Sequence, residues 1–161
     1  MDKLYSLAKS FKYAWNGIRF CVRHEKNMLI HIVATLYVMY FSQFYAFTRA
    51  EYILLIITCV IVLSLEMLNT AIEVVIDKVS PEYSALAKVG KDVAAGAVFV
   101  SALAAIVIGV CLFWDIDTFK LIWEYLTGDL FNLAMLIGFT GCAFLFITSA
   151  KKRKIKGKVN K

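Results

Sequence analysis

Charge is scarce in this chain, and so are the motifs that usually announce a soluble nucleotide enzyme or a stapled secreted domain. Only 19% of its 161 residues are charged, against 61% that are hydrophobic. A chain of this length cannot hide so much apolar surface in a soluble core, so its exterior needs lipid as solvent. The four cysteines, Cys21, Cys59, Cys111 and Cys142, contain no Cys-x-x-Cys pair and are widely scattered. That spacing excludes a disulfide framework or a zinc site and leaves small packing residues. There is no Gly-x-x-x-x-Gly-Lys-[Ser/Thr] loop, no Gly-x-Gly-x-x-Gly and no Gly-x-Ser-x-Gly, so any nucleotide is held by another device. No internal repeat, low-complexity segment or long linker divides the chain. Residues 1–26 are amphipathic and charged rather than a short apolar core with a cleavage site, which argues against a cleaved signal peptide.

What is present is a set of charge-free runs: residues 27–48, 52–65, 93–114 and 130–150. Three of them reach the length, about 20 residues, that a helix needs to cross a hydrocarbon core of about 30 Å. The second is shorter but continues past Glu66 in the same apolar pattern, so it reads as a span interrupted by a charge. The expected fold is therefore all-α and integral to a membrane, with four transmembrane helices behind an N-terminal interfacial amphipathic helix. In that first helix Leu4, Leu7, Ala8, Phe11, Trp15, Ile18 and Val22 share one stripe, the pattern of a helix lying in the membrane interface. Ser80 and Pro81 suit the cap and first position of a new helix after span two. Phe119, Ile122, Trp123 and Leu126 at helical spacing predict a short interfacial helix in the loop before the last span.

The net charge of +6 sits in the tail, where residues 151–161 hold seven of the 18 Lys and Arg. Without an extended basic face, nucleic acid is excluded as a partner and anionic membrane lipids are favoured. Lys3, Lys9, Lys12, Arg19, Arg23 and Lys26, then Lys78, Lys88 and Lys91, and the tail all belong in the cytoplasm by the positive-inside rule. The link at Arg49 and Glu51 and the acidic loop 115–129 belong outside. Four spans with both termini cytoplasmic satisfy every loop.

The chemistry is concentrated in Glu66-x-x-Asn69-Thr-Ala-Ile-Glu73-x-x-x-Asp77. At about 100° per residue, these polar positions fall within roughly 80° of one another. Three carboxylates on one stripe of a membrane helix repel and are costly to desolvate, so they need cations or protons beside them. A divalent metal would supply the compensation; the competing reading, polar groups that glue helices, needs only one or two such residues. Lys91-Asp92 followed by Val-Ala-Ala-Gly96-Ala opens the third span at the same membrane face, and a lysine there can meet phosphate oxygens. Snorkelling and ordinary small-residue packing explain the same residues, and their weight comes from proximity to the acid row. Glu25, in Glu25-Lys-Asn27-x-x-x-His31, is either a further metal ligand or a solvated junction glutamate. His31 suits a hydrogen-bonded interior position better than a ligand. Acids with a lysine at a membrane face suit phosphoryl transfer to a lipid alcohol, with one carboxylate taking the hydroxyl proton. A small four-helix proton-coupled transporter is the alternative, and it calls for one dominant acid near the midplane.

From about Leu4 to Trp114 these residues resemble the prokaryotic diacylglycerol kinases, small membrane enzymes unrelated to soluble kinases. Phe11-Lys-Tyr-Ala-Trp15-Asn-Gly17-Ile-Arg19 and Glu25-x-Asn27-x-x-x-His31 are more similar to the Gram-positive branch, whose preferred substrate is undecaprenol. The resemblance implies ATP and Mg2+ as cofactors and a homotrimer with sites between subunits. It implies Glu66 as general base, Glu25 and Glu73 as holders of the magnesium, and Asn69, Asp77, Lys91 and Asp92 as the rest of the nucleotide site. Residues 1–114 then form the kinase-like unit, with the interfacial helix at 2–24 and spans at about 27–48, 51–78 and 87–114. Residues 115–161 add an outer loop, an extra span at 130–150 and a basic tail. Two features depart from the family pattern: the fourth span itself, and Ser84, where this branch is expected to carry histidine.

Overall fold

A computed structural model of the chain describes the backbone of residues 2–80, 82 and 84–159, and the side chains of residues 6–80, 82 and 84–149. Among the described residues every regular element is helical. They are α1 (Asp2–His24), α2 (Lys26–Phe41), a 3-10 turn (Ser42–Phe44), α3 (Arg49–Val79), α4 (Ala85–Phe113), α5 (Ile116–Gly128) and α6 (Leu130–Val159). Four segments are long and apolar enough to cross a bilayer: Lys26–Phe44, Arg49–Val79, Ala85–Phe113 and Leu130–Ser149. The molecule is an all-α integral membrane protein.

The charge-free run 27–48 is not one helix. After α2 ends, Ser42 is fully buried and its hydroxyl donates to the Met39 carbonyl at 2.8 Å, which closes the chain into the 3-10 turn. Tyr45 then leaves in an extended conformation, and its hydroxyl donates to the Phe113 carbonyl at 2.9 Å, satisfying one of the orphan acceptors at the end of α4. Tyr52 donates to the Ser42 carbonyl at 3.0 Å. Tyr45 and Phe47 stack on each other and each meets Phe113 edge to face around these bonds. Aromatic packing and hydrogen bonds thus gather the ends of α2 and α4 and the start of α3 at one end of the bundle. Burial, with Asp115 nearby, holds the Tyr45 phenol above its ordinary pKa, so it remains a donor.

α3 starts at a complete capping box. The Thr48 hydroxyl accepts from the Glu51 amide at 3.3 Å while Glu51 accepts from the Thr48 amide at 2.7 Å. At its other end Ser80 is the C-cap of α3 rather than the N-cap of the next helix; Pro81 lies outside the described residues. α4 begins instead at Ala85, because Ser84 supplies the cap, its hydroxyl accepting from the Ala87 amide at 3.4 Å. The departure at Ser84 therefore does local work: a short hydroxyl satisfies an orphan amide at a helix start.

α3 and α4 form the most extensive helix contact, an antiparallel hairpin. α2 packs on α3, and α6 lies against α1 and α2. Tyr37 of α2 meets α6 through a 2.5 Å hydroxyl contact with Thr140 and an edge-to-face contact with Phe139. α5 forms, as its apolar spacing suggests, and reaches the 3-10 turn through Phe44 and Tyr125. On α1, Leu7, Phe11 and Trp15 are largely uncovered by protein and Ile18 partly so, the arrangement of a stripe turned to lipid. The side chain of Leu4 and those of the basic tail lie outside the described residues.

Thr48→Ala removes the hydroxyl half of the capping box and is expected to cost about 1 kcal/mol. The check is a lower midpoint in thermal unfolding of the detergent-solubilised protein, with Thr127→Ala on α5, whose hydroxyl donates only to the Trp123 carbonyl of its own helix, as the comparison.

Candidate functional site

The acid row runs from the interior of the bundle to its surface. Glu66 is 1% exposed and Asn69 7%, Glu73 is half-buried and Asp77 is exposed. Eleven residues separate the two ends, about 16 Å along the helix. The row therefore joins a desolvated carboxylate to a wet one.

α1 covers the buried end. Cys21, 5% exposed, hydrogen bonds with Thr70, and the charges of Glu25 and Glu66 both act on it. Thr70 is also buried, its hydroxyl donating to the Glu66 carbonyl at 3.0 Å. These contacts bring Glu25, at the break between α1 and α2, to the same end of the bundle as Glu66. Burial pushes the Cys21 thiol up and the Thr70 hydrogen bond partly offsets it, so the group is a neutral thiol near pH 7. Its role is that of a small, weakly polar contact between α1 and α3.

Further down the row, the Asn69 amide nitrogen donates to Glu73 Oε1 at 3.4 Å, while Asn69 Oδ1 is buried with no hydrogen-bond partner among the described residues. An orphaned buried acceptor costs about 1–3 kcal/mol, and it invites a donor from a ligand. At the surface end the Lys91 ammonium donates to Asp77 Oδ1, pairing the first turns of α4 with the last turns of α3. An ammonium has three donors, and this lysine side chain is 34% exposed.

Gly90 makes that pairing possible. A Cβ there would stand 3.1 Å from Ile76 Cδ1, so α4 approaches α3 closely one residue before Lys91. A Cβ at Gly96 would meet nothing within 4 Å, so the next small residue leaves open space beside the helix. Asp92 is exposed and lies about 100° around α4 from Lys91, away from the ion pair. His31 is half-buried, six residues beyond Glu25 on α2.

Asn69 and Glu73 thus form one bonded pair and Asp77 and Lys91 a second below it; Glu66 lies one turn further in, Glu25 approaches from the break between α1 and α2, and Asp92 stands apart. Among the described residues no three His, Cys, Asp or Glu side chains stand close enough to hold a metal by themselves. A magnesium ion does not need them to, because it is commonly held by one or two carboxylates together with phosphate oxygens and water. Glu25 and Glu73 have the donor chemistry for such a site. The sequence read Cys21 as a small packing residue, and it packs between α1 and α3; Thr70 and Gly90 were not singled out, and the only sign of Gly90 was its place beside Lys91.

Gly90→Val should force Ile76 aside and overpack the hairpin, costing about 1–3 kcal/mol. Gly17→Ala on α1, where a Cβ meets nothing within 4 Å, should instead gain about 0.5–1 kcal/mol from helix propensity. Thermal midpoints of the two variants are expected to move in opposite directions.

The family model described as prokaryotic diacylglycerol kinase matches residues 12–113. A diacylglycerol kinase of Synechocystis is 38% identical over 108 residues, which are 66% of this chain and 62% of the relative. The undecaprenol kinase of Bacillus subtilis is 35% identical over 112 residues, 70% of this chain and 91% of the relative. The diacylglycerol kinase of Escherichia coli K12 is 29% identical over 109 residues, 68% of this chain and 89% of the relative. This chain accordingly spans less than two thirds of the cyanobacterial relative and nearly all of the other two. The matched region contains the whole acid row, Glu25 and Lys91, and the chain belongs to the prokaryotic diacylglycerol kinase family of membrane lipid kinases.

Proposed function

We propose that the protein transfers the γ-phosphate of ATP to the hydroxyl of a membrane lipid alcohol at the cytoplasmic face of the cell membrane, with undecaprenol as the preferred acceptor and diacylglycerol as the competing one. The observation that carries this reading is the gradient along α3, from the buried Glu66 to the exposed Asp77 paired with Lys91. A lipid hydroxyl reaches the depth of Glu66 and a soluble triphosphate reaches Asp77 and Lys91. A proton-coupled transporter would need one dominant acid in place of this graded row.

Glu66 is the general base. Its carboxylate accepts the proton of the lipid hydroxyl as that oxygen attacks the γ-phosphorus, and the bond to the bridging oxygen breaks to release ADP. The orphaned Asn69 Oδ1 offers an acceptor one turn away for a donor of the nucleotide. Lys91, with donors to spare beside its bond to Asp77, meets phosphate oxygens, and Asp77 and Asn69 complete the nucleotide site, while Asp92, about 100° around α4, reaches only a part of the nucleotide that extends past the ion pair. Glu25 and Glu73 would hold magnesium, which when bound offsets charge on the phosphates. Burial of Glu66 under Cys21 and Thr70 excludes water, so the lipid hydroxyl does not compete with hydrolysis of the nucleotide.

Undecaprenol is favoured because the Bacillus relative, matched over 91% of its length, carries that name and because the opening motifs resemble its branch. Residues 1–114 act as the catalytic unit and 115–161 as an accessory. Both termini lie in the cytoplasm, where the basic segments meet anionic lipids. The working form is a homotrimer, as the family resemblance implies.

Purified protein with magnesium and γ-labelled ATP is expected to label undecaprenol faster than diacylglycerol. Labelling of neither lipid would sink the reading, and a reversed order would move the protein to the other branch. Glu66→Gln should lower kcat by about 10²–10⁴-fold without changing the oligomer seen by cross-linking; an unchanged rate would remove Glu66 from the mechanism. Lys91→Met should raise the KM for ATP and leave that for the lipid unaltered.

A further inference from the structure

α6, the span beyond the region that the family model matches, does not close fully on the helices it joins. It is tied to α2 by the Tyr37 hydroxyl, which donates to Thr140 Oγ1, while Thr140 donates in turn to the Leu136 carbonyl at 2.7 Å. Around that tie are two apolar hollows, of about 310 Å³ and about 330 Å³, which share Leu36 of α2 and Phe139 of α6 as walls. The first reaches Tyr40 and Met135, and the second reaches Leu29, Phe146 and Val22 of α1. Together they make one groove along the seam between α2 and α6.

Leu29 to Tyr40 on α2 and Met135 to Phe146 on α6 each cover eleven residue steps, about 16 Å of helix and about the depth of one leaflet. Leu29, Ile32, Leu36 and Tyr40 fall within about 80° of one another around α2. His31, Ala34 and Val38, which line a cavity shared with α3 and α4, lie on the opposite side of that helix. The groove is therefore separate from the acid row. It is also open to the bilayer, since Leu36 is 49% exposed, Met135 61% and Phe146 52%.

Only one end of the groove is basic. Lys26 lies one turn below Leu29 on α2, and Arg19 one turn before Val22 on α1, each within about 60° of that lining residue. Both are exposed, and neither is in an ion pair among the described residues. Past Phe146, α6 continues as helix to Val159, through a segment 151–159 that contains six Lys or Arg and no acid. The neighbouring acid, Glu25, acts on Cys21, which turns to Thr70 of α3 rather than to α6. At the other end α6 follows the acidic stretch 115–129, whose single lysine, Lys120, is paired with Asp117.

We propose that this groove is a binding site for one anionic membrane phospholipid, with a hydrocarbon chain lying in the seam between α2 and α6 and the phosphate at the basic end beside Lys26 and Arg19. The occupant follows from the walls and the charge together. A groove one leaflet deep and open to the bilayer takes a lipid chain, and cations at one end only take an anionic headgroup. A neutral lipid would fill the walls and leave those cations unanswered. A second copy of this chain, inserted in the same orientation, would bring its own basic end against this one, where like charges repel. The bound lipid completes an attachment that the Tyr37–Thr140 bond alone leaves partly open.

The test is native mass spectrometry of the full-length protein, extracted in mild detergent from bilayers of equal parts phosphatidylglycerol and phosphatidylcholine. Phosphatidylglycerol is expected to stay bound to each chain in about fivefold excess over phosphatidylcholine, the ratio that a single surface cation gives. Equal retention of the two lipids, or of neither, overturns the proposal. Ala143→Phe, which fills the groove from its α6 wall, should cut the retained phosphatidylglycerol about fivefold. Gly141→Phe adds the same side chain on the opposite side of α6, where a Cβ meets nothing within 4 Å, and should leave retention unchanged. If both variants lose the lipid, or neither does, the lipid is bound elsewhere and the proposal falls. Arg19→Gln combined with Lys26→Gln keeps the walls intact and should erase the preference for phosphatidylglycerol; a double variant that keeps it overturns the headgroup site. Cys142 lines the groove, so an oxidant that joins Cys142 of two copies in the bilayer shows a second chain in the seam and also overturns it. Kinase assays on the same preparations are read separately: a protein that phosphorylates no lipid yet retains phosphatidylglycerol selectively sinks the kinase reading and leaves this site standing.

Discussion

A carboxylate buried inside a membrane helix is the constraint to which the rest of this structure answers. Glu66 sits where an ionised group is costly, and the surrounding elements are arranged around that cost. α1 packs near it at Cys21, Thr70 lies one turn along the same helix, and that helix continues to the surface with Asn69, Glu73 and Asp77 on the same side. Replacing the row with leucine would make a better membrane helix. Its retention makes sense for a chemical group that must meet an alcohol dissolved in lipid and a phosphate dissolved in water.

The hairpin of α3 and α4 holds those two solvents together. At one end the Asp77–Lys91 pair and the close approach at Gly90 join the helices. At the other, Tyr45 bonds the terminal carbonyl of α4 while the Thr48–Glu51 capping box begins α3. Above Glu66, α2, α3 and α4 line a cavity whose α4 wall includes Ala102, Ala105 and Gly109. Polar contacts thus fix the ends of the hairpin, and small side chains leave space in its middle. The additional α6 attaches to α1 and α2 through Tyr37, on helices that frame the site without carrying its acid row.

Much of the architecture was legible because lipid imposes simple rules on sequence. Runs without charge must be helical where they cross the bilayer, since no other single segment satisfies its own backbone there. The amphipathic stripe of α1, the spans and the short α5 followed from spacing alone. Two boundaries did not. The first run breaks at Ser42 because a buried hydroxyl and an aromatic cluster outcompete the helix, and α4 starts at Ser84 rather than near Pro81 because a cap depends on local geometry as well as on residue type.

By itself the sequence determined that three acids and an amide share one face of a membrane helix, because a 3.6-residue period leaves no other arrangement. Its motifs also carried the family. Only tertiary structure decided which of those acids is dry and which is wet, that Lys91 meets Asp77 while Asp92 turns away, and that Cys21 and Thr70 close over Glu66. Periodicity specifies direction around a single helix; depth, pairing and the hollow above Glu66 depend on how three helices approach one another. That approach is set by where a side chain is absent, as at Gly90, as much as by where one is present.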